Sequence, residues 1–425
     1  MRSKPIAAIY PALAGAQAKP GAREPWSPAL AQAVSDSSQI DAASRLQIEV
    51  SDDLRAVEAH WLTLEAEAGG TVYQSLEWTR AALATIETLG RSKAMIVAGT
   101  LDGRPAFVLP LVCKGRFMRR VEWIGGPHVN FNYGLYSREF LGVVQPGDIE
   151  AIVDRIGKAM SGSGILDLGC QPGMWRGTAN PMTCLPHQRS TNPVFTMDLS
   201  GGFEALLARG NAKRKRKKFR QQCRQAAEAG GYRMIVAGSG DEVELLLGNF
   251  CRQKSRRLRK LGISNTFDSR EARDMLSLLA HRSIGQEEPL LQLFGLEIGG
   301  KIRSVFGGGV RNGHFSGYFS SISLDSLTHL SPGEMLLHML VEHCADRGIT
   351  SMDLGGGDER YKRSWCDTQV DLVDVILPIG AFGRPAVAAL RCSRWVKRTV
   401  RQNPRAWAMI AAIRRLRARL IWRAG

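Results

Sequence analysis

From Val375 to Gly425 the chain has no acidic side chain, although twelve lysines and arginines stand there. Other absences narrow the function. The eight cysteines, at 113, 170, 184, 223, 251, 344, 366 and 392, form no Cys-x-x-Cys and no paired spacing. That argues against a disulfide framework or a zinc site and fits a reducing cytoplasm. No apolar run approaches the ~18–20 residues of a membrane span. No Gly-x-Ser-x-Gly elbow offers a serine nucleophile. His338 and His343 are five residues apart on an expected helix, hence on different faces. No metal site is expected.

The charge that is present is uneven. The 425 residues carry 57 lysines and arginines against 40 acids, a net charge of +17. Asn211–Lys260 alone holds 15 basic and 4 acidic residues. Together with the acid-free end, this leaves an ordinary, slightly acidic body bearing two basic segments. Apolar content of 44% and charged content of 23% are those of a globular protein, and the length suggests two or three domains. Arg2, Lys4, Ile6–Gly15 and Ala16-Gln17-Ala18 loosely imitate a signal peptide. The apolar stretch is short, however, and broken by Pro11. Residues 1–44 read better as an Ala/Pro/Gly/Ser-rich disordered tail.

Two stretches then run the same course. The first opens with a strand at Leu46–Val50, a helix through Leu54, Val57, Trp61 and Leu64, and a helix from Ser75 to Leu89. A hairpin turning at Asp102-Gly103 follows. A helix at Asp148–Met160 leads into a buried strand, Gly164–Gly169. The second stretch has a strand at Phe195–Leu199 and helices near Asn211–Ala229, Asp241–Lys260 and Ser269–Ile284. Its hairpin turns at Gly299-Gly300, and strand His314–Ile322 and helix Pro332–Asp346 lead to Ser351–Gly355. Thr100–Arg104 matches Glu297–Lys301, and Asp167-Leu168-Gly169 matches Asp353-Leu354-Gly355. Landmarks in the same order imply a duplicated α/β unit with mixed sheets. The expected division is a tail at 1–44, units at 45–194 and 195–380, and a basic amphipathic helical tail at 381–425.

Chemistry concentrates in the second unit. Ser331-Pro332-Gly333-Glu334 precedes an amphipathic helix: Ser331 suits the N-cap, Pro332 the first helical position, and Glu334 a capping box. A strand, a turn and a helix N-terminus can also seat a pyrophosphate, with Gly333 letting the ligand approach the backbone. Next comes Asp353-Leu354-Gly355-Gly356-Gly357-Asp358-Glu359-Arg360-Tyr361-Lys362-Arg363-Ser364-Trp365. An acid, a phenol and a cation after a glycine-rich bend suit proton transfer and charge stabilisation. A surface loop with a Lys–Asp pair is the plainer alternative.

These motifs resemble those of GNAT-superfamily acetyltransferases of the cellulose-biosynthesis (CelD-like) type, related to the Fem-type tandem-GNAT aminoacyl transferases. The resemblance covers about Leu46–Leu377 in outline, and its specific motifs lie in Leu291–Trp365. It implies two tandem GNAT-like domains, with acyl-CoA, probed most simply as acetyl-CoA, entering between strands His314–Ile322 and Ser351–Leu354. Backbone N–H groups near Phe319, Ser320 and Ser321 would hold the thioester carbonyl. Ser331, Pro332 and Gly333 would lie at the phosphates. Lys362 would stabilise the oxyanion, beside Tyr361, with Asp358 or Asp353 as base. Trp365 would face substrate. The chain departs from the family pattern where His329-Leu330-Ser331-Pro332-Gly333 replaces Arg/Gln-x-x-Gly-x-Gly/Ala, which keeps an aminoacyl donor open.

Further signals are weaker. Ile165–Gly173 resembles the first S-adenosylmethionine motif, but no helix pattern follows and the repeat explains the match. His128 and Asn130, in Ile124–Tyr133, could line an acceptor cleft or simply satisfy a turn. The basic segment Lys213–Arg224 has Phe219 as its only aromatic, so RNA is not expected, nor is DNA. Met409, Ile413, Leu416 and Leu420 trace a stripe flanked by arginines and tryptophans, which suits either anionic lipid or docking on the body. The function expected is N- or O-acyl transfer in cell-envelope or exopolysaccharide synthesis, in the cytoplasm or at the inner membrane face. The rival is a non-catalytic, membrane-associated binding protein on the same fold.

Overall fold

The computed structural model describes residues 45–88, 92–160, 162–357, 359–403, 405–410 and 412–414. The tail expected at 1–44 lies outside them.

The first unit contains β1 (Leu46–Ser51), α1 (Glu58–Glu67), α2 (Leu76–Ala84), β2 (Ser92–Leu101), β3 (Arg104–Lys114), β4 (Arg119–Trp123), β5 (Leu135–Tyr136), α3 (Arg138–Val143), α4 (Pro146–Met160) and β6 (Gly164–Pro172). A small hairpin, β7 (Met174–Trp175) with β8 (Thr178–Ala179), and β9 (His187–Arg189) follow. The second contains β10 (Val194–Asp198), α5 (Gly202–Ala208), α6 (Ala212–Glu228), β11 (Tyr232–Val236), α7 (Gly240–Leu261), α8 (Arg270–Arg282), β12 (Gln292–Ile298), β13 (Lys301–Arg311) and β14 (His314–Ile322). It continues with α9 (Pro332–Asp346), β15 (Ser351–Gly356), α10 (Arg360–Trp365), β16 (Thr368–Val370), β17 (Leu372–Ile379) and α11 (Gly383–Gln402).

Local chemistry explains most element ends. Ser75 caps α2 by accepting the Trp78 N–H, Ser239 caps α7 and Ser269 caps α8. Both hairpin turns place two successive residues at positive φ, Asp102-Gly103 and Gly299-Gly300, as tight two-residue turns require. The first helix begins at Glu58, later than its apolar stripe, because the Asp53 carboxylate takes the Arg55 N–H in a turn.

The duplication is visible in the sheets. One runs β1-β2-β3-β4-β6-β17-β9, with β5 on β3; the other runs β11-β12-β13-β14-β15-β10-β16. β4 is parallel to β6, and β14 is parallel to β15. The last strands are exchanged. β10 follows the first unit yet lies beside β15, with Met197 opposite Met352. β17 follows the second unit yet lies beside β6, with Leu377 opposite Leu166. Residues 372–379, placed with the second unit in the expected division, thus lie in the first sheet as β17, whose Val375 and Ile376 are fully buried. At ~1.5–3 kcal/mol for each fully buried apolar side chain, such strands tie the halves firmly.

One apolar cluster runs from Trp61, Trp78 and Phe107 into Phe250, Met275 and Leu279, joining α7 and α8 to the first unit. A second packs α9, α5 and α6 against the opposite face of the second sheet. The methyltransferase-like segment ends as strand, since Gln171 and Pro172 still pair with β17 and a hairpin comes next. α11, the start of the expected basic tail, docks through Val387 on Ile165 and Ile376. Leu416, Leu420 and the arginines beyond Arg414 lie outside the described residues.

Candidate active site

β14 and β15 are paired only through His314↔Ser351, Phe315↔Met352 and Ser316↔Asp353. Beyond that point β14 skips a residue against β13: Gly308 faces Gly317 and Gly307 faces Phe319, so Tyr318 bulges. A bulge bends its strand and breaks local pairing. The strands part, and a cavity of about 100 Å³ opens between them. Its walls include Asn130, Lys254, Ser320, Gly356, Tyr361 and Lys362. Asn130 comes from the first unit and donates Nδ2 to the carbonyls of Gly317 and Tyr318, at 3.2 and 3.3 Å. The bulged strand is thus held from across the interface.

Lys362 is almost wholly buried. Its Nζ reaches the carbonyls of Gly355 (3.1 Å) and Gly356 (2.8 Å) and the Glu359 carboxylate (3.0 Å). Those three acceptors match the three N–H bonds of an ammonium group. Gly355, at φ +71°, makes the bend that turns both carbonyls toward it. The Tyr361 phenol bonds to the Ser320 side chain, and burial first, then Glu359, pushes its pKa well above the usual value, so it stays neutral. Lys254 donates to the Ser320 carbonyl at 3.1 Å. Burial, with Arg257 and Lys362 adding repulsion, brings its pKa down to about 8.

Other expected site residues lie around this cavity. Phe319 lines it and stacks on Phe250 at 4.0 Å. Ser321 turns away and donates to Gln253 at 2.7 Å. Asp353 is buried, with one oxygen accepting the Gly355 N–H (2.7 Å) and the other meeting His314 Nε2 (3.1 Å), whose Nδ1 faces Ser351. Asp358 lies outside the described residues. Trp365 is buried against His338, with Lys215 Nζ 4.1 Å over its ring. His128 is buried edge-on to Phe267, and desolvation lowers its pKa to about 4.

The start of α9 needs correction. Pro332 is the first helical residue as expected, but Ser331 sits at φ +54° and makes no capping bond. From that left-handed backbone its hydroxyl does not serve the first turn, and Glu334 pairs with Lys218 instead of completing a capping box. Gly333 answers to packing: a Cβ there would stand 2.8 Å from Ile322. None of the three lines the cavity at Lys362.

Lys254 was hidden by its neighbours, a run of arginines that reads as a solvated face. Its signal was position, four residues after the buried Phe250 and on the same helical stripe. Among the described residues, no group of three His, Cys, Asp or Glu side chains is placed to hold a metal ion.

Residues 213–363 match the family described as acetyltransferase (GNAT) domain. No curated protein matches the chain. The structure is similar to that of FemX at 12% identity, covering 78% of this chain and 97% of that one, with a TM-score of 0.54. A conserved protein of unknown function from Bacteroides thetaiotaomicron aligns over 79% of this chain and 100% of its own, at 11% identity and a TM-score of 0.49. A tandem GNAT protein from the clavulanic acid biosynthesis pathway gives 13%, 79%, 99% and 0.45 respectively.

Proposed function

From a chain whose second half carries an acetyltransferase (GNAT) domain, and which is accordingly an acyltransferase, we propose an N- or O-acyltransferase that uses acyl-CoA, acetyl-CoA in the simplest case. The observation that carries the reading is the cleft opened at Tyr318, with a buried lysine on its wall.

The donor carbonyl would lie between the parted strands. Attack by an acceptor amine or hydroxyl forms the new C–N or C–O bond, and collapse of the adduct breaks the C–S bond. With a pKa of about 8, Lys254 is partly neutral near pH 7.5 and can take the acceptor's proton, then return it to the departing thiolate. Lys362 supplies positive charge to the oxyanion. Of its three acceptors, Glu359 has the exposed side chain and is the one that can yield. Tyr361, as a neutral phenol, can donate as well. Asp353, with both oxygens engaged, acts as a positioning residue that fixes the Gly355 bend.

The test is a calorimetric titration with acetyl-CoA beside turnover of Lys362→Ala. Binding, with turnover in the variant down ~10²–10³-fold, is expected. No binding, together with undamaged activity in the variant, would sink the reading. A second donor class, an aminoacyl ester, is favoured by one feature: the Lys218–Glu334 pair stands at the start of α9, where a phosphate would be expected. Charging the enzyme with either donor in a single turnover separates the two.

For the acceptor, the sequence resemblance supports an amino or hydroxyl group on an envelope or exopolysaccharide precursor. A membrane location fits the tail. Phe382, Trp395, Val396, Trp407, Met409 and Ile413 are all exposed, and they fall in the acid-free segment. Such a surface suits anionic lipid. Flotation with phosphatidylglycerol vesicles should lose the protein once residues 404–425 are deleted; equal recovery would exclude lipid contact.

A further inference from the structure

Helix α7 presents Asn249, Arg252 and Arg256 on one stripe, spaced three and then four residues apart. Opposite them, the β12–β13 turn brings Lys301, and Arg303 and Ser323 close the far side. Together they line a cavity of about 600 Å³, separate from the cleft at Lys362. The two carboxylates at its rim are already engaged: Glu297 with Arg233 at 3.1 Å, and Asp325 with Arg303. Arg252, Arg256 and Lys301 have no carboxylate partner among the described residues. Three cations from two elements thus converge on one concavity, a repulsive arrangement that an anion relieves.

The cavity is wired to the cleft. Gln253 is buried, donating to the Ile302 carbonyl at 2.8 Å and accepting from Ser321 Oγ at 2.7 Å. Lys254, the next residue, bonds Ser320 in the cleft wall. Successive residues of α7 therefore address the cavity, the strand and the cleft. From Ser320 to Ser323 the extended chain covers about 10 Å. A group seated among the arginines lies within reach of a substrate whose reacting atom is at Lys254.

We propose that this cavity binds a phosphoryl group of one of the reactants. Arginine pairs suit it, because each planar guanidinium can offer two parallel N–H bonds to phosphate oxygens. The assignment of that group to a reactant rests on the acyl-transfer reading; the phosphate seat itself does not. Two sources have the same chemistry: the nucleotide end of acyl-CoA, or a phosphate or diphosphate on the acceptor. The cavity lies on the α7 face of the sheet, opposite α9, which favours the acceptor.

Pyrophosphate is the probe. Titrated calorimetrically into the full chain at low salt, it should bind at least tenfold more tightly than to Arg252→Ser/Arg256→Ser, and Lys301→Ser should weaken it separately. All three side chains are exposed, so the fold should survive. Equal affinity in wild type and double variant, or no binding to wild type, would overturn the proposal. Coenzyme A titrated into the same proteins identifies the source. Unchanged affinity in the double variant assigns the phosphate to the acceptor, and a parallel loss assigns it to the donor. Failure of coenzyme A to bind either protein would count against the acyl-CoA reading alone, leaving the pyrophosphate result to stand.

Discussion

The two halves follow the same strand path, yet they differ at the end of the parallel pair, where the second opens a cleft. In the first, β4 and β6 run together through Glu122↔Asp167, as β14 and β15 do through Ser316↔Asp353. Asp167 and Asp353 are therefore counterparts, both buried. Their partners differ. Asp353 holds a histidine and the N–H of the glycine bend. Asp167 is met by Arg120 and by Arg394 of α11, which also reaches Asp374 at 2.9 Å. At Gly169, the counterpart of Gly355, a Cβ would stand 3.1 Å from the Arg394 guanidinium. At Gly355 the corresponding place is taken by the Asn130 amide, 2.9 Å from where a Cβ would stand, so an amide in one half answers to a guanidinium in the other. The scaffold recurs in both halves, and in the first the C-terminal helix supplies the group beside the glycine and its aspartate.

The largest effect should come from removing that guanidinium. Arg394→Ala leaves Asp167 without one of its two cations and Asp374 without its ion-pair partner, both carboxylates being deeply buried. Breaking a buried pair in this way costs about 3–5 kcal/mol. A urea unfolding midpoint reads it, and kcat of the protein that remains folded should hold. An unchanged midpoint would show that the Arg394 ion pairs are not a structural necessity. Lys362→Ala inverts the pattern: kcat should fall ~10²–10³-fold while acetyl-CoA affinity stays close to wild type. If stability collapsed and kcat per folded molecule did not change, Lys362 would be a pin for the glycine bend, and the two halves would be alike after all.

Much of this comparison was legible in the sequence. The turn and Asp-Leu-Gly landmarks located β2–β3 and β12–β13, and β6 and β15, because two-residue turns and buried strands have strong local signatures. The GNAT character of the second half was legible through the segment ending in Lys362. The strand exchange was not. Leu372–Ile379 is an apolar run that would suit either sheet, and its choice of β6 depends on long-range pairing that no local pattern encodes. The capping box at Ser331 was misread because the sequence Ser-Pro-Gly-Glu fits a cap whatever its φ, and here the preceding short helical turn at Thr328–Leu330 delivers Ser331 left-handed. Lys254 was missed since burial, not residue type, distinguishes it from the arginines around it.

Lys254 sharpens the comparison through pH. Its folded pKa of about 8 lies below the ordinary lysine value, so the neutral amine gains population as pH rises through 8. The rate should rise over that window in wild type. In Lys254→Met it should fall about 10²-fold, and the limb near pH 8 should vanish. A limb that survives the substitution would assign the base elsewhere, with Asp358 next in line.

The smallest effect concerns the interior of each half rather than its cleft. His338, stacked on Phe219 at 3.8 Å, and His128, beside Phe267, both have pKa values lowered to about 4 by burial, with Lys215 adding repulsion at His338. The unfolded chain takes up these protons near the ordinary histidine value, before the folded protein does. Stability should therefore be full above about pH 6.5, decline as pH falls toward 4, and level off below. The effect should be on the order of 1 kcal/mol for His338, or ~1–2 °C in Tm for a chain of this size. His338→Phe keeps the aromatic stack and should remove its share of the acid-labile increment, and His128→Phe should remove the remainder. Melting curves at pH 7 and pH 4.5 decide the matter. A pH dependence untouched by both substitutions would place the acid sensitivity outside these two histidines.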